Sequence, residues 1–370
     1  MAMFDLNKEY YLWGAGTYGG RLIDFMDGNL NFKAVIDSDT TKHGTLFHGV
    51  EVIGYDKSIS DNPNNKLILS QAMPHEVRNF LLKEGYQENE DFFLIYDFLP
   101  RYFWQTRRKV VASHANLIAT TICNLNCDSC QAYMNVAEIH RHISASEITK
   151  GVDLMYKHVD SILNINYPCG ESLLNKELTD ACQYIYDNYK DRYHAMTIQT
   201  NGTIIPDDET MKKLASSKTV LSISDYEANK KTKYKLIEKC NVFGVQWFNN
   251  STCKRENWYD FADSHVLRAS TDFELKEHFK KCWIPGMGVF EQYIYLCTIQ
   301  AWSHAVVGMN KEFGERSEYD VFDMTQPKTE TSQEVLYKLI SRQLDKGYIS
   351  HCARCDGTTP IVDKMKKMEE

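Results

Sequence analysis

Seven of the eleven cysteines fall in two groups whose spacing suits metal chemistry. In Ile122-Cys123-Asn124-Leu125-Asn126-Cys127-Asp128-Ser129-Cys130, the spacing C-x3-C-x2-C puts three thiols on one short loop. Three thiolates so close can hold three corners of a 4Fe-4S cubane. The usual protein ligation takes four, so one iron is left open to react. Structural zinc is the rival, since zinc also takes cysteine clusters. It favours C-x2-C pairs with a fourth ligand nearby, and no Cys or His lies between Tyr133 and Glu138. The second group is Cys282 and Cys297, flanking an expected hairpin at 289–296, with the pair Cys352-Ala353-Arg354-Cys355. Four such thiolates can converge on one site, either an iron-sulfur cluster or a structural zinc.

The elements that must position the first loop are legible as apolar segments ending in polar turns. An apolar strand expected at 117–121 delivers the cysteines. A second, 161–166, ends in Tyr167-Pro168-Cys169-Gly170-Glu171-Ser172-Leu173-Leu174; a third, 196–200, ends in Asn201-Gly202; a fourth, 220–224, ends in Ser224-Asp225; a fifth is expected at 242–247. Helices fit between them: Ser144-x-x-Glu147 is a capping box, and Leu178, Cys182, Ile185 and Tyr186 line one face of the next. Polar residues at strand C-termini are what a β/α barrel uses for function. Cys182 and Cys240 read as packing residues, whereas Cys169 and Cys253 are expected at the barrel mouth.

The three-cysteine loop together with these strand ends resembles the radical S-adenosylmethionine (radical SAM) superfamily. The Cys169-Gly170-Glu171-Ser172-Leu173-Leu174 segment is similar to that family's G-G-E-P-L-L motif, and Thr200-Asn201-Gly202 to its T-N-G. The resemblance implies a central partial (β/α)6 TIM-type barrel in which Cys123, Cys127 and Cys130 hold a catalytic [4Fe-4S] cluster with an open iron. It further implies S-adenosylmethionine bound there by Gly170, Glu171, Thr200, Asn201, Ser222 and Ser224, with Glu171 accepting from the SAM ammonium. Two departures stand out. Ser129 occupies the position of the usual adenine-contacting aromatic, for which Tyr133 is the substitute, and Cys169 replaces the first glycine of G-G-E. The late cysteines are similar to the twitch domain, a shortened SPASM domain holding one auxiliary [4Fe-4S] cluster, although Glu291-Gln292 stands where the hairpin glycine is usual. The implied chemistry is reductive cleavage of SAM to a 5'-deoxyadenosyl radical that abstracts hydrogen from a substrate C–H bond, with electrons from a flavodoxin- or ferredoxin-type donor. A thiol at Cys169 or Cys253 could then return a hydrogen atom, making the outcome an epimerisation.

No cysteine occurs before position 123. There, an expected strand at 10–13 runs into Gly14-Ala15-Gly16-Thr17-Tyr18-Gly19, a helix pattern follows, and a second strand at 32–36 ends in Asp37. G-x-G-x-x-G between strand and helix, with an acidic residue about 20 positions on, is a nucleotide-binding arrangement. The glycines alternatively serve only to build the turn. Further strands are expected at 66–69 and 92–96. The region resembles the small Rossmann-like domain at the front of bacterial sugar O-acyltransferases, which implies a nucleotide or nucleotide-sugar ligand at Gly14, Gly16, Gly19 and Asp37.

The expected fold is therefore α/β throughout. It comprises a Rossmann-like open sheet at 1–100, a linker at 101–113, a radical SAM barrel at 114–275 and a twitch-like iron-sulfur domain at 276–370. The chain of 370 residues is 43% hydrophobic and 25% charged with a formal net charge of −8. That balance argues for a globular protein without the basic footprint of nucleic-acid or anionic-membrane binding. No apolar run approaches a membrane span, no signal peptide is evident, and a cytoplasmic location is expected. The substrate expected first is a carbohydrate, cyclitol or nucleotide-linked sugar, to be oxidised or epimerised. The alternative is a peptide maturase acting on a ribosomal peptide, and a zinc-structured, non-enzymatic scaffold is the third reading.

Overall fold

The computed structural model describes residues 7–71, 74–127, 130–226, 229–250, 259–260, 270–282, 284, 286–308, 320–355 and 359–360. It is mixed α/β with two largely parallel sheets, and its contacts divide the chain into two compact units, Met1–Ser113 and His114–Glu370.

In the first unit, strands β1 (Glu9–Trp13), β2 (Phe32–Ile36), β3 (Leu46–Phe47), β4 (Val50–Ile53), β5 (Asn65–Leu69) and β6 (Phe92–Leu94) form one sheet in the order β3-β4-β2-β1-β5-β6. All pairs are parallel except β3 with β4. Helices α1 (Thr17–Met26), α2 (Lys57–Asp61), α3 (His75–Lys83) and α4 (Ile95–Arg107) connect and follow the strands. Both faces are covered, so the strands read as nearly continuous apolar runs: Leu12, Val35, Ile68 and Leu69 have no exposed surface. The expected strand at 92–96 ends at Leu94, and α4 carries the chain to Arg107 with Tyr102, Phe103 and Trp104 buried. A linker at 101–113 is thus replaced by helix as far as Arg107 and by strand from Val111 onward. The aromatic positions read as connector are core, and the Tyr102 hydroxyl donates to the Asn29 carbonyl at 2.6 Å.

The second unit holds an eight-stranded sheet of β7 (Val111–Leu117), β8 (Ser161–Tyr167), β9 (Tyr193–Thr200), β10 (Val220–Ser224) and β11 (Trp247–Asn250). A two-residue strand, β12 (Tyr259–Asp260), pairs elsewhere; the sheet continues with β13 (Met287–Phe290), β14 (Tyr293–Tyr295) and β15 (Val321–Asp323). Their order is β11-β10-β9-β8-β7-β13-β14-β15, and β12 pairs with β16 (Thr359–Pro360). The helices are α5 (Ala145–His158), α6 (Leu178–Tyr189), α7 (Asp208–Ser216), α8 (Lys233–Phe243), α9 (Asp272–Lys281), α10 (Thr298–Val306) and α11 (Glu330–Ile340). The capping box at Ser144 and Glu147 opens α5. Residues 114–370 form one unit, because β13 pairs in parallel with β7 and carries the hairpin into the main sheet.

Two strands lie away from their expected places. The strand before the cysteine loop is Val111–Leu117, ahead of 117–121. The one expected at 242–247 begins only at Trp247: α8 runs to Phe243, Val242 is 74% exposed on it, and Gly244 at φ 70° stops the helix. Among the described residues no helix is long and apolar enough to cross a membrane.

Candidate active site

The loop that follows β7 is fastened to the end of β8. Glu171 N–H donates to the Ile122 carbonyl at 2.9 Å, just before Cys123. Gly170 makes this approach with φ 63°, and a Cβ there would lie 2.6 Å from the same carbonyl. Glycine is therefore required, which accounts for one glycine of the motif in steric terms.

Glu171 has no exposed surface. One carboxylate oxygen accepts from the Thr200 hydroxyl at 2.9 Å and the Leu173 N–H at 3.1 Å, and the other from the Asn201 N–H at 2.7 Å. Burial pushes this carboxyl up to about 7 against the opposing pull of those hydrogen bonds. The Asn201 side-chain amide then reaches Asn124 Oδ1 at 2.9 Å and Cys123 Sγ at 3.9 Å, while Asn124 donates to Thr203 at 2.8 Å. Asn229 closes the far side, donating from Nδ2 to the carbonyls of Asn201 at 2.7 Å and Ser224 at 2.6 Å. The ends of β8, β9 and β10 and the cysteine loop are thus one hydrogen-bonded assembly. Ser222 and Ser224 are buried on β10, and Asp225 beyond them pairs with Lys233 at 2.7 Å.

Cys127 is buried with Leu125, and Cys123, Cys130 and Tyr226 pack against them. Burial pushes the Cys123 thiol up to about 11, with smaller contributions from Glu171 and Cys130, and raises Cys130 as well. Cys169, expected at an open mouth, is 0% exposed; burial raises its thiol well above the ordinary range, and Cys130 and Cys123 are the charges it senses. It lies two residues beyond the end of β8. Tyr133, expected to be available to an adenine ring, is 2% exposed and packs edge-on against His351, with ring centroids 6.5 Å apart. Ser129 and Cys253 lie outside the described residues. Cys182 and Cys240 are fully buried on α6 and α8.

The late cysteines occupy helix ends. Cys282 caps the C-terminus of α9, Cys297 the N-terminus of α10, and Cys352 and Cys355 lie in and just after the short 3₁₀ turn Ser350–Arg354. Burial raises the Cys297 thiol, as do Cys282 and Cys355; Cys352 is raised by burial and by the other three. The fold has gathered into one neighbourhood four thiols that stand up to 73 positions apart in sequence. Arg342 holds the approach, donating to the Cys282 carbonyl at 2.8 Å. The hairpin turn lacks glycine because Glu291 itself takes φ 55°. Among the described residues no three His, Cys, Asp or Glu side chains are arranged to hold a single metal ion.

In the first unit the glycines divide their work. Gly14 has φ 120°, and a Cβ on Gly19 would lie 2.1 Å from the Gly14 carbonyl, so these two build the turn, while a Cβ on Gly16 would meet nothing within 4 Å. Asp37 is already engaged: Oδ2 accepts from the Ala15 N–H at 2.7 Å and from Lys42 at 3.2 Å, and Oδ1 from the Asp39 N–H at 2.9 Å.

Sequence reasoning missed Asn124, Asn229 and Thr203, which carry no motif of their own. Their one signal is that each is a small polar residue within a few positions of a cysteine, an Asn-Gly or a Ser-Asp turn.

No family model matches the chain, and no curated protein matches it. Solved structures similar to it include native anSMEcpe with bound AdoMet and Cp18Cys peptide, at 19% identity over 37% of this chain and 42% of that one, TM-score 0.31. Streptococcus suis SuiB bound to S-adenosylmethionine gives 15% identity over 56% and 48%, TM-score 0.32. RSP in complex with β-NAD+ and operator DNA gives 19% over 24% and 49%, TM-score 0.20. The chain spans less than half the length of each.

Proposed function

We propose that the second unit is a radical SAM enzyme acting on a substrate C–H bond. The observation that carries this reading is Glu171: its fully buried carboxyl ties the end of β8 to Thr200 and Asn201 at the end of β9, while its backbone N–H, on the Ile122 carbonyl, and the Asn201 amide, on Asn124, hold the three-cysteine loop. Its Oε2 accepts the Asn201 N–H and retains acceptor capacity for a ligand ammonium, which suits an amino-acid-bearing cofactor. Cys123, Cys127 and Cys130 are the soft donors that would hold a [4Fe-4S] cluster, and Gly170, Glu171, Thr200, Asn201, Ser222 and Ser224 are the residues that would hold SAM. When bound, cluster and SAM supply one-electron cleavage of the sulfonium and hydrogen-atom abstraction. The chain's own part is to orient: the Glu171–Asn201–Cys123 linkage fixes the loop against the strand ends. Burial keeps Cys169 a neutral thiol, the form that donates a hydrogen atom. Cys282, Cys297, Cys352 and Cys355 are the donors for an auxiliary cluster, and a flavodoxin- or ferredoxin-type protein supplies electrons.

Of the two substrate classes, a peptide is favoured over a nucleotide-linked sugar or cyclitol. Asp37, the residue expected to meet a ribose, spends its carboxylate on Ala15, Asp39 and Lys42. The sugar reading retains one supporting feature, the open backbone at Gly16.

The test is 5'-deoxyadenosine formation from SAM by anaerobically reconstituted protein under a strong reductant. Steady formation is expected, and none from iron-replete protein would overturn the assignment.

A further inference from the structure

The face of the second sheet that carries Asn164 and Asn166 is unusually polar. On β8 the odd-numbered Leu163, Ile165 and Tyr167 turn toward the helices, with the Tyr167 ring buried near Cys182 of α6. The even-numbered residues therefore face the other way. Parallel pairing sets Asn166 beside Thr197 and Gln199 beside Ser222, continuing this face across β9 and β10. On β7 the same face presents His114, 3.4 Å from the Asn164 amide, and Asn116. Helix α10 lies over the neighbouring strand, and it can do so because residue 288 is glycine: a Cβ there would stand 2.4 Å from Ala301 Cβ.

A relay runs along this face. Asn166 Nδ2 donates to Asn116 Oδ1 at 3.2 Å, and Asn116 Nδ2 donates to Thr298 Oγ1 at 2.8 Å. Asn116 is buried and its carboxamide is used at both ends. Asn166 is only half-buried and spends one N–H, keeping its carbonyl oxygen and second N–H for a partner outside the relay. Half-buried Gln199 lies two strands away from Asn116 on the same face. Thr298 is the residue after Cys297, so the relay begins at the sheet wall and ends beside the late cysteines.

We propose that Asn166 and Gln199 form a substrate subsite for an uncharged hydrogen-bonding group, a carboxamide or a hydroxyl, with Asn116 and Thr298 as positioning residues. That a substrate binds on this face rests on the radical SAM reading above. The chemistry selects the class. A carboxamide offers both a donor and an acceptor, which a neutral amide or hydroxyl satisfies. A carboxylate or ammonium brought against Asn116, Asn166, Thr197, Gln199 and Ser222 meets no opposite charge from these five side chains, and they leave its desolvation uncompensated.

Saturation-transfer NMR on the full chain tests this with three probes: N-acetylglycinamide, myo-inositol and the anionic N-acetylglycinate. At least one neutral probe is expected to bind about tenfold or more tightly than N-acetylglycinate. Preference for the amide assigns a peptide-like source, and preference for inositol a polyol. Asn166→Asp should abolish the discrimination against charge, and the milder Asn166→Ser should weaken the neutral probe, in protein shown folded by circular dichroism. Equal binding of anionic and neutral probes, no binding of either neutral probe, or unchanged selectivity in both variants overturns the subsite. The wild-type 5'-deoxyadenosine assay is read separately. Its failure beside intact probe selectivity removes the radical chemistry and leaves the subsite, and the reverse result removes only the subsite.

Discussion

The two cysteine sets are held in different ways. Cys123, Cys127 and Cys130 share one loop, and that loop is braced from outside by the Asn201 amide on Asn124 and the Glu171 N–H on the Ile122 carbonyl, with the Glu171 carboxyl and Asn229 holding Asn201 in turn. The late four are spread over the ends of α9 and α10 and the turn at Ser350–Arg354, near enough that Cys297 senses the charge of Cys282 and Cys355, and Cys352 that of the other three. The first loop is tied at Ile122 and Asn124 to strand ends that a buried carboxyl joins to each other. The late set is assembled from helix ends by packing. The first arrangement suits a centre that must present an open coordination site, and the second a closed one.

The sharpest way to break that comparison is to remove the first set. Replacing Cys123, Cys127 and Cys130 together with Ala should abolish 5'-deoxyadenosine formation while leaving the iron and acid-labile sulfide of the late set. Iron and sulfide analysis after anaerobic reconstitution reads this directly. Zinc without sulfide in that variant would make the late set a structural zinc site and end the auxiliary-cluster proposal.

The next largest effect belongs to the brace. Glu171→Ala strands the Thr200 hydroxyl and the Leu173 and Asn201 N–H groups in a buried site, at about 1–3 kcal/mol for each left unsatisfied. A clear fall in Tm is expected, together with loss of SAM binding by equilibrium dialysis. Glu171→Gln keeps an acceptor for part of this network and should recover most of the stability but not the affinity. If Glu171→Ala leaves Tm unchanged, the loop is not held from β8 and β9, and the contrast between the two sets fails.

How far sequence revealed this depends on the range of the contact. Cys123 to Cys130, the Gly170-Glu171 turn and the Asn201-Gly202 turn are local patterns, and the strands leading to the two turns lie close to where hydrophobic runs place them, whereas the one before the cysteines ends at Leu117, its expected start. The cost of Gly170 is visible only in three dimensions, where the Ile122 carbonyl fills the space of a Cβ. The strand expected at 242–247 failed because apolar Val242 sits exposed on the last turn of a helix, a choice set by Gly244 and not by hydrophobicity. Residues 101–107, expected within a linker, failed for the opposite reason: Tyr102, Phe103 and Trp104 pack a helix into the core. Asn229 was invisible because its two partners are backbone carbonyls, 5 and 28 positions away, which carry no side-chain signature.

The glycines of the first unit extend the contrast between built and open geometry at lower cost. Gly19→Ala places a methyl 2.1 Å from the Gly14 carbonyl, where backbone must move, and should destabilise the chain by about 1–3 kcal/mol in denaturant titration. Gly16→Ala meets nothing and should leave stability within about 0.5 kcal/mol, while blocking any phosphate that approaches this backbone. A nucleotide sugar that raises the Tm of the wild type and not of Gly16→Ala would restore the sugar reading.

The smallest expected effect is the pH response of Asp37, and its sign follows from the partners. Burial alone would raise this carboxyl, but the Asp39 and Ala15 N–H groups and Lys42 outweigh it and hold it below the ordinary 3.8. A depressed folded-state value means stability that is present above the unfolded value and lost as pH falls through the folded one. Between pH 5 and 8 Asp37 therefore contributes a constant amount, and the loss is confined to acid below about pH 4. Asp37→Asn should flatten that acid limb slightly and cost about 0.5–1.5 kcal/mol at neutral pH, the worth of a half-exposed ion pair plus a reoriented amide acceptor. The informative outcome is the opposite one. If Asp37→Asn is neutral for stability yet removes a nucleotide-dependent rise in Tm, the carboxylate is released from Ala15 and Lys42 when ligand binds. The first unit would then share with the cysteine loop the property of a carboxyl placed in advance for a partner.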